Sequence, residues 1–263
     1  MKIIDTGRLH MDCKFKKKCS KINTDQCNRE CFPYIVLHGI EGNSGYWGST
    51  RVPKKYENCF IETLPIREEN PNAFNVIEKY SKDVLRYVKD KGMGLYLFSV
   101  PNVNNRLGTG TGKTTSAITI LHEYLIARVG EFIRNDFNFG DNPTMFIKLS
   151  EMQNIYNSQF RGGYSNQQDM STKYFALLSR MKNVELLVID DIGIRDLTDA
   201  FKNELYDVID TRCTEDRATI YTSNYPINSM GDILGDRIVS RIEGQCYPVG
   251  FKGEDHRKGG LFR

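Results

Sequence analysis

The stretch RLGTGTGKTT, Arg106 to Thr115, ends in a glycine, a lysine and a hydroxyl residue in succession. In the pattern G-x-x-x-x-G-K-[ST], glycines let backbone N–H groups turn towards phosphate oxygens, the lysine reaches the β- and γ-phosphates, and the hydroxyl ligates Mg2+. Gly108, Gly110, Gly112, Lys113 and Thr114 are the residues for those roles, with Thr109, Thr111 and Thr115 completing a cradle for ATP or ADP. Leu107 stands where the pattern has its first glycine. That glycine is the one least involved in touching phosphate, and the preceding PNVNN offers flexible turn residues in its place. A second stretch, VELLVIDDIG, runs apolar residues into Asp190 and Asp191. Ligands of open α/β sheets gather at the C-terminal ends of strands. There Asp190 would hold the Mg2+ shell and Asp191 would orient or deprotonate an attacking water. The second acid of such pairs is often glutamate, one methylene longer, so slow hydrolysis or dependence on a closing neighbour is expected.

Four of the seven cysteines, Cys13, Cys19, Cys27 and Cys31, fall within CKFKKKCSKINTDQCNREC. This polar segment has too few apolar residues for a core of its own, so something else must order it. Four thiolates in two close pairs can close a tetrahedral shell around Zn2+, and metal binding then supplies folding energy. The spacings C-x5-C and C-x3-C are looser than the usual C-x2-C of zinc ribbons. Free cysteines in a basic arm and an iron–sulfur cluster are the alternatives, and His10 or His38 is a candidate stand-in for one ligand. Cys59, Cys213 and Cys246 are isolated and read as small packing residues.

These groups need elements to hold them. The apolar runs GLYLFSV (94–100), TMFIKLS (144–150), VELLVID (184–190), ATIYTSN (218–224) and CYPVGF (246–251) read as strands. Phe74, Ile77, Tyr80, Val84, Leu85 and Val88 recur at helical spacing and predict a helix over 72–90; a second follows Lys113, with further helical segments near 170–183 and 198–213. The alternation predicts an α/β fold, a mostly parallel sheet with helices on both faces. The phosphate loop then sits between a buried strand and a helix start, where it must sit. A boundary near residue 51 separates a Cys-rich module, 1–50, from a large domain, 51–263. The chain of 263 residues, 40% hydrophobic, permits a sizeable core. No apolar run approaches the roughly 18 residues that span a bilayer, and the basic N-terminus lacks the apolar stretch of a secretory signal, so a cytoplasmic protein is expected. The net charge of +3 is uneven: residues 1–60 hold 11 Lys and Arg against 6 Asp and Glu, a basic surface suited to solvent, nucleic acid or an acidic partner.

Taken together, the motifs resemble an AAA+ ATPase of the bacterial and phage helicase-loader type, the DnaC/DnaI family, related to the IstB transposition ATPases. The resemblance covers Val52 to Arg263. PKKYENC is similar to the family's segment beside the adenine, LGTGTGKTT to its Walker A and LLVIDDIG to its Walker B. TIYTSN is similar to its sensor 1, which implies that Asn224 lies near the γ-phosphate; GDRIVSRI is similar to its arginine-finger helix. The resemblance implies Arg241 as the finger reaching a neighbour's nucleotide, with Arg237 the alternative, and Arg257 in EDHRK as the sensor 2 arginine. It also implies an ATPase that self-associates through its AAA+ domain, grips a replicative hexameric helicase with its N-terminal module and engages single-stranded DNA. Only six residues follow Arg257, so no helical lid domain and no helix-turn-helix is expected there. The latter disfavours a DnaA-type initiator. A transposition ATPase of the IstB type remodelling duplex DNA, and an adaptor switched by nucleotide without turnover, are the competing readings.

Overall fold

The computed structural model describes residues 13–22, 24–28, 30–42, 44–106, 108–135, 140–193 and 197–256. Each apolar run becomes a strand: β1 (Gly94–Ser99), β2 (Thr144–Lys148), β3 (Leu186–Asp190), β4 (Thr219–Ser223) and β5 (Cys246–Phe251). The order is β2-β3-β4-β1-β5, and every pairing among them is parallel. Parallel neighbours require crossovers, which place helices on both faces and bury the central strands throughout. That is why β3 and β4 read as continuous apolar runs, with every residue buried. Pro248 lies on β5, an edge strand, where a missing ladder donor is tolerated.

The helices are α1 (Phe32–His38), α2 (Gly45–Ser49), α3 (Pro71–Lys82), α4 (Lys113–Arg134), α5 (Leu149–Ser158), α6 (Tyr164–Asn183), α7 (Asp199–Thr214), α8 (Gly231–Leu234) and α9 (Asp236–Gln245). Two differ from the periodicity. The helix expected over 72–90 ends at Lys82, and a π-helical turn, Arg86–Asp90, follows it; its wider winding stacks Tyr87 on Tyr80, ring centroids 5.0 Å apart. Helix α6 begins at Tyr164 rather than near 170, because its first two turns are polar and present no apolar stripe. Helix α5 was hidden in the sequence by its junction with β2, which leaves no loop between them.

Helix α4 is the axis of the molecule. Its Ala117, Ile120, Leu121 and Tyr124 pack with Phe74 and Ile77 of α3 and with Leu97 and Val188 of the sheet. On its other side Leu125, Ile126 and Val129 meet Phe15, Leu37 and Trp47. The Cys-rich segment thus does not stand apart; it borrows a core from α4, and each such side chain contributes about 1.5–3 kcal/mol when fully buried. On the far face of the sheet, fully buried Arg212 donates to the carbonyls of Met181 and Val184 (both 2.8 Å) and Ala218, and to Thr219 Oγ1 (2.8 Å). One guanidinium therefore satisfies the carbonyls where α6 ends and β4 begins.

His122, on α4, lies fully buried at the junction with the N-terminal segment. Its ring stacks on Trp47 at 4.2 Å and its Nδ1–H donates to the Cys59 carbonyl at 2.9 Å. Nε2 finds no partner among the described residues, and burial pulls the imidazole down to about 4. The unfolded chain takes up this proton first as pH falls, so the stability carried by neutral His122 is whole above about pH 6.5 and is lost towards pH 4. Urea melts at about pH 7 and about pH 5 should show the wild type losing about 2 kcal/mol more than His122→Phe. Equal losses would mean that the imidazole is not held neutral.

Candidate functional site

Between Ser99 at the end of β1 and Lys113 at the start of α4, the chain loops over the C-terminal edge of the sheet. The asparagines before the glycines fasten this loop rather than loosen it. Asn102 Oδ1 accepts from the N–H groups of Asn104 (2.9 Å) and Asn105 (2.7 Å), and Asn105 Nδ2 donates to the carbonyls of Thr109 (2.7 Å) and Gly253 (3.1 Å). Leu107 lies outside the described residues. Gly108 has φ +59° and any Cβ there would lie 2.2 Å from Ser99 Cβ; Gly110 has φ +70° and a Cβ would lie 1.9 Å from Asp255 Oδ1. Both positions therefore demand glycine. Lys113 is buried, with its Nζ donating to the Gly108 carbonyl at 2.9 Å and to Ser99 Oγ. Phosphate oxygens arriving here would give that ammonium a charged acceptor, with bonds roughly twice as strong as those to neutral groups.

Pairing of β3 with β4 sets Ile189 beside Tyr221, which brings the ends of both strands to the loop. Asp190, 5% exposed, accepts from Thr114 Oγ1 and from Thr222 Oγ1 through the same Oδ1, each at 2.7 Å. Asp191 follows with φ +61°, a left-handed conformation uncommon for a residue with a Cβ, and its N–H donates to Thr222 Oγ1 at 2.8 Å. A cavity of about 630 Å3 opens above these groups, bordered by Thr109–Thr115, Asp190, Asp191, Thr222 and Asn224 on one side. Lys55, Tyr56, Pro65 and Ile66 border the other. A space of this size, bordered by the glycine-rich loop, Lys113 and paired acids and also by Tyr56, Pro65 and Ile66, suits a nucleotide with its phosphates and Mg2+.

Asn224, Lys55 and Tyr56 all border this cavity. Arg257 lies outside the described residues, but its predecessors reach the cavity: Thr109 Oγ1 donates to Asp255 Oδ2 at 2.8 Å, and His256 Nε2 lies 2.9 Å from Glu69 Oε2. Arg241 and Arg237 are both exposed on α9. Neither borders this cavity; Arg241 Nε pairs with Asp210 Oδ1 at 2.8 Å. Cys13, Cys19, Cys27 and Cys31 all border one small cavity of about 20 Å3, shared with Phe15, Ile22, Pro33 and Tyr34. The closed tetrahedral shell expected from the spacing is not shown: among the described residues no group of three or more His, Cys, Asp or Glu is placed to hold a metal. Burial pushes the Cys13 thiol up to about 11, with smaller contributions from the other three. His38 accepts instead from the Lys14 N–H at 3.1 Å, and His10 lies outside the described residues. Thr222, Ser99, Asp255 and His256 were not singled out by sequence. Only their tertiary partners reveal them: Asp190 for Thr222, Lys113 for Ser99, Thr109 for Asp255 and Glu69 for His256.

The five-stranded parallel sheet, with a glycine-rich loop and an acid pair at its C-terminal edge, has the AAA+ P-loop fold. Residues 164–260 match the family described as IstB-like ATP binding protein. The replicative helicase loader DnaC of Buchnera aphidicola subsp. Baizongia pistaciae is 24% identical over 213 residues, 80% of this chain and 74% of that one. The crystal structure of the DnaC helicase loader aligns at TM-score 0.54 and 19% identity over 76% of this chain and 100% of the other; that of DnaI aligns at 0.55 and 18% over 78% and 94%. The structural likenesses establish the fold. With the sequence relatives, they bear out the resemblance to AAA+ ATPases of the DnaC/DnaI and IstB-like type. Among the described residues no helix is long and apolar enough to cross a membrane.

The arrangement separates binding from chemistry in a measurable way. Lys113→Ala should weaken ATP binding at least tenfold, about 1.4 kcal/mol, while Asp191→Asn should bind ATP normally and hydrolyse it at least tenfold more slowly. Titration with a fluorescent ATP analogue and a phosphate-release assay read the two effects. Affinity within threefold of wild type in Lys113→Ala would remove the loop from nucleotide binding.

Proposed function

We propose that this chain is an ATP-dependent loader of a replicative hexameric DNA helicase, placing it on single-stranded DNA in the cytoplasm during replication. The observation that carries this reading is the likeness to DnaC loaders over 80% of the chain, set on a cavity where Walker-type residues converge. In this reading Lys113 and the loop N–H groups hold the phosphates and Asp190 with Thr114 holds Mg2+. Asp191 orients the water, Asn224 senses the γ-phosphate, and Arg257 completes the site from the sensor 2 position. In this reading residues 51–263 are the ATPase domain and residues 1–50 the helicase-binding module, of which Phe15, Leu37 and Trp47 pack on α4.

The single-stranded DNA part of the reading is supported by exposed aromatics around the α5–α6 turn: Phe160 is 67% exposed, Tyr164 85% and Phe175 63%, with Arg161 and Lys173 exposed beside them. Aromatic faces with nearby cations stack bases without regard to sequence. The match of residues 164–260 to IstB-like proteins favours, as a second reading, a transposition ATPase acting on duplex DNA. Co-purification with a replicative helicase, followed by loading onto circular single strands lacking ends, separates them. Helicase capture and loading are expected; neither capture nor loading, with duplex binding instead, would transfer the assignment to the second reading. Zn2+ held by Cys13, Cys19, Cys27 and Cys31 would require these four thiols, which border one small cavity, to draw closer together than they stand here. Elemental analysis of the same preparation should return one zinc per chain, lost in Cys27→Ser/Cys31→Ser; a zinc-free, well-folded protein would reject the site.

Exposure of Arg241 away from its own nucleotide cavity supports its acting on a neighbour's phosphate, where a finger stabilises transition-state charge. Arg241→Ala should bind ATP but turn over at background. Adding excess Lys113→Ala chains, whose Arg241 is intact, should restore part of the turnover. Full activity in Arg241→Ala alone would move the role to Arg237.

A further inference from the structure

Thr222 is not among the residues the motifs bring forward, yet three bonds at the turn after β3 converge on it. Its side chain is 2% exposed. Its Oγ1 donates to Asp190 Oδ1 at 2.7 Å and accepts the Asp191 N–H at 2.8 Å, while its carbonyl accepts the Ile192 N–H at 2.8 Å. A hydroxyl is the small group able to donate and accept at once; valine, of the same shape, does neither. The double role has a geometric purpose. Donation to Oδ1, shared with Thr114, fixes the Asp190 carboxylate about its terminal torsion and leaves Oδ2 without a donor among the described residues. Acceptance of the Asp191 N–H holds that residue at φ +61°, where a Cβ is normally unfavourable, and so fixes the direction in which its carboxylate leaves the strand.

We propose that Thr222 is the positioning residue of this site: through one hydroxyl it sets the Mg2+-holding carboxylate of Asp190 and the water-orienting carboxylate of Asp191 relative to each other. The inference rests on the nucleotide reading of the cavity, but not on turnover. Thr222 acts through its two neighbours. Register explains why one residue reaches both, because β3 and β4 are adjacent and Thr222 lies beside the strand end that carries the pair.

The test compares Thr222→Val, which keeps the shape, with Thr222→Ser, which keeps the hydroxyl, on the full chain. A fluorescent ATP analogue is titrated with Mg2+ and with EDTA, and the ratio of the two affinities is taken. Thr222→Val is expected to leave the EDTA affinity within twofold of wild type, to reduce the Mg2+-dependent ratio at least fivefold, and to lower the turnover number at least tenfold with little change in KM. Thr222→Ser is expected to restore the ratio and turnover to within threefold of wild type. An unchanged ratio in Thr222→Val, or equal impairment in the serine and valine variants, would overturn the proposal, since packing rather than the hydroxyl would then be at issue. Should Thr222→Val fail to fold, the ratio is read on Thr222→Ala with the same expectations. Wild type that binds nucleotide but does not hydrolyse it would defeat the ATPase reading, and the Mg2+ ratio would still decide the role of Thr222. No nucleotide binding in either condition would defeat the cavity assignment and this inference with it.

Discussion

Asp190 Oδ1 accepts two hydroxyl hydrogens, from Thr114 at the start of α4 and from Thr222 at the end of β4. Three separate pieces of chain meet on one oxygen. A buried carboxylate is costly to leave unpaired, so the phosphate loop's helix, the β3 end and the β4 end are constrained to arrive together. The rest of the sheet serves that meeting: β1 is flanked by β4, which brings the loop beside the acid pair, while β5 on the other side carries Gly253 and Asp255 back onto the loop. Charge therefore collects at one edge of an otherwise apolar sheet.

Helix α4 transmits this constraint away from the site. Its first residue is Lys113, and a few turns later its far side is covered by Phe15, Leu37 and Trp47. A rigid, buried helix joins the ammonium to the Cys-rich segment without an intervening loop. Any partner that grips the segment thus works on a surface continuous with the helix carrying Lys113. His122 marks the seam, stacked on Trp47 and with its pKa drawn down by burial.

The strands were legible because a parallel sheet covered on both faces buries its strands throughout, so short apolar and β-branched runs such as LLVI and TIY mark them. The glycines and Lys113 were legible because their chemistry is local in sequence. What escaped was everything settled by partners far along the chain. Thr222 looks like an ordinary β-branched strand residue until Asp190 is beside it. Arg212, in a helix of charged and apolar residues, reads as a surface cation, yet a set of carbonyls from α6 and the start of β4 draws it fully inside. Asparagines 102 and 105 look like flexible turn formers and prove to be fasteners, since Gly253 supplies their acceptor. The end of α3 at Lys82 was hidden because Val84 and Val88 continue a helical spacing through a π-helical turn.

The shared core of the N-terminal segment also orders events during synthesis. Phe15, Leu37 and Trp47 leave the ribosome long before Leu125, Ile126 and Val129, which cover them. With translation at about 5–20 residues per second, that interval lasts several seconds. Loop closure over such a separation is slow compared with local folding. For that time the nascent segment presents an uncovered aromatic and aliphatic surface flanked by a lysine-rich run, Lys14 to Lys18, whose charge keeps neighbouring nascent chains apart. In the folded chain two lysines of that run, Lys14 and Lys17, lie over the rings of Trp47 and Phe60.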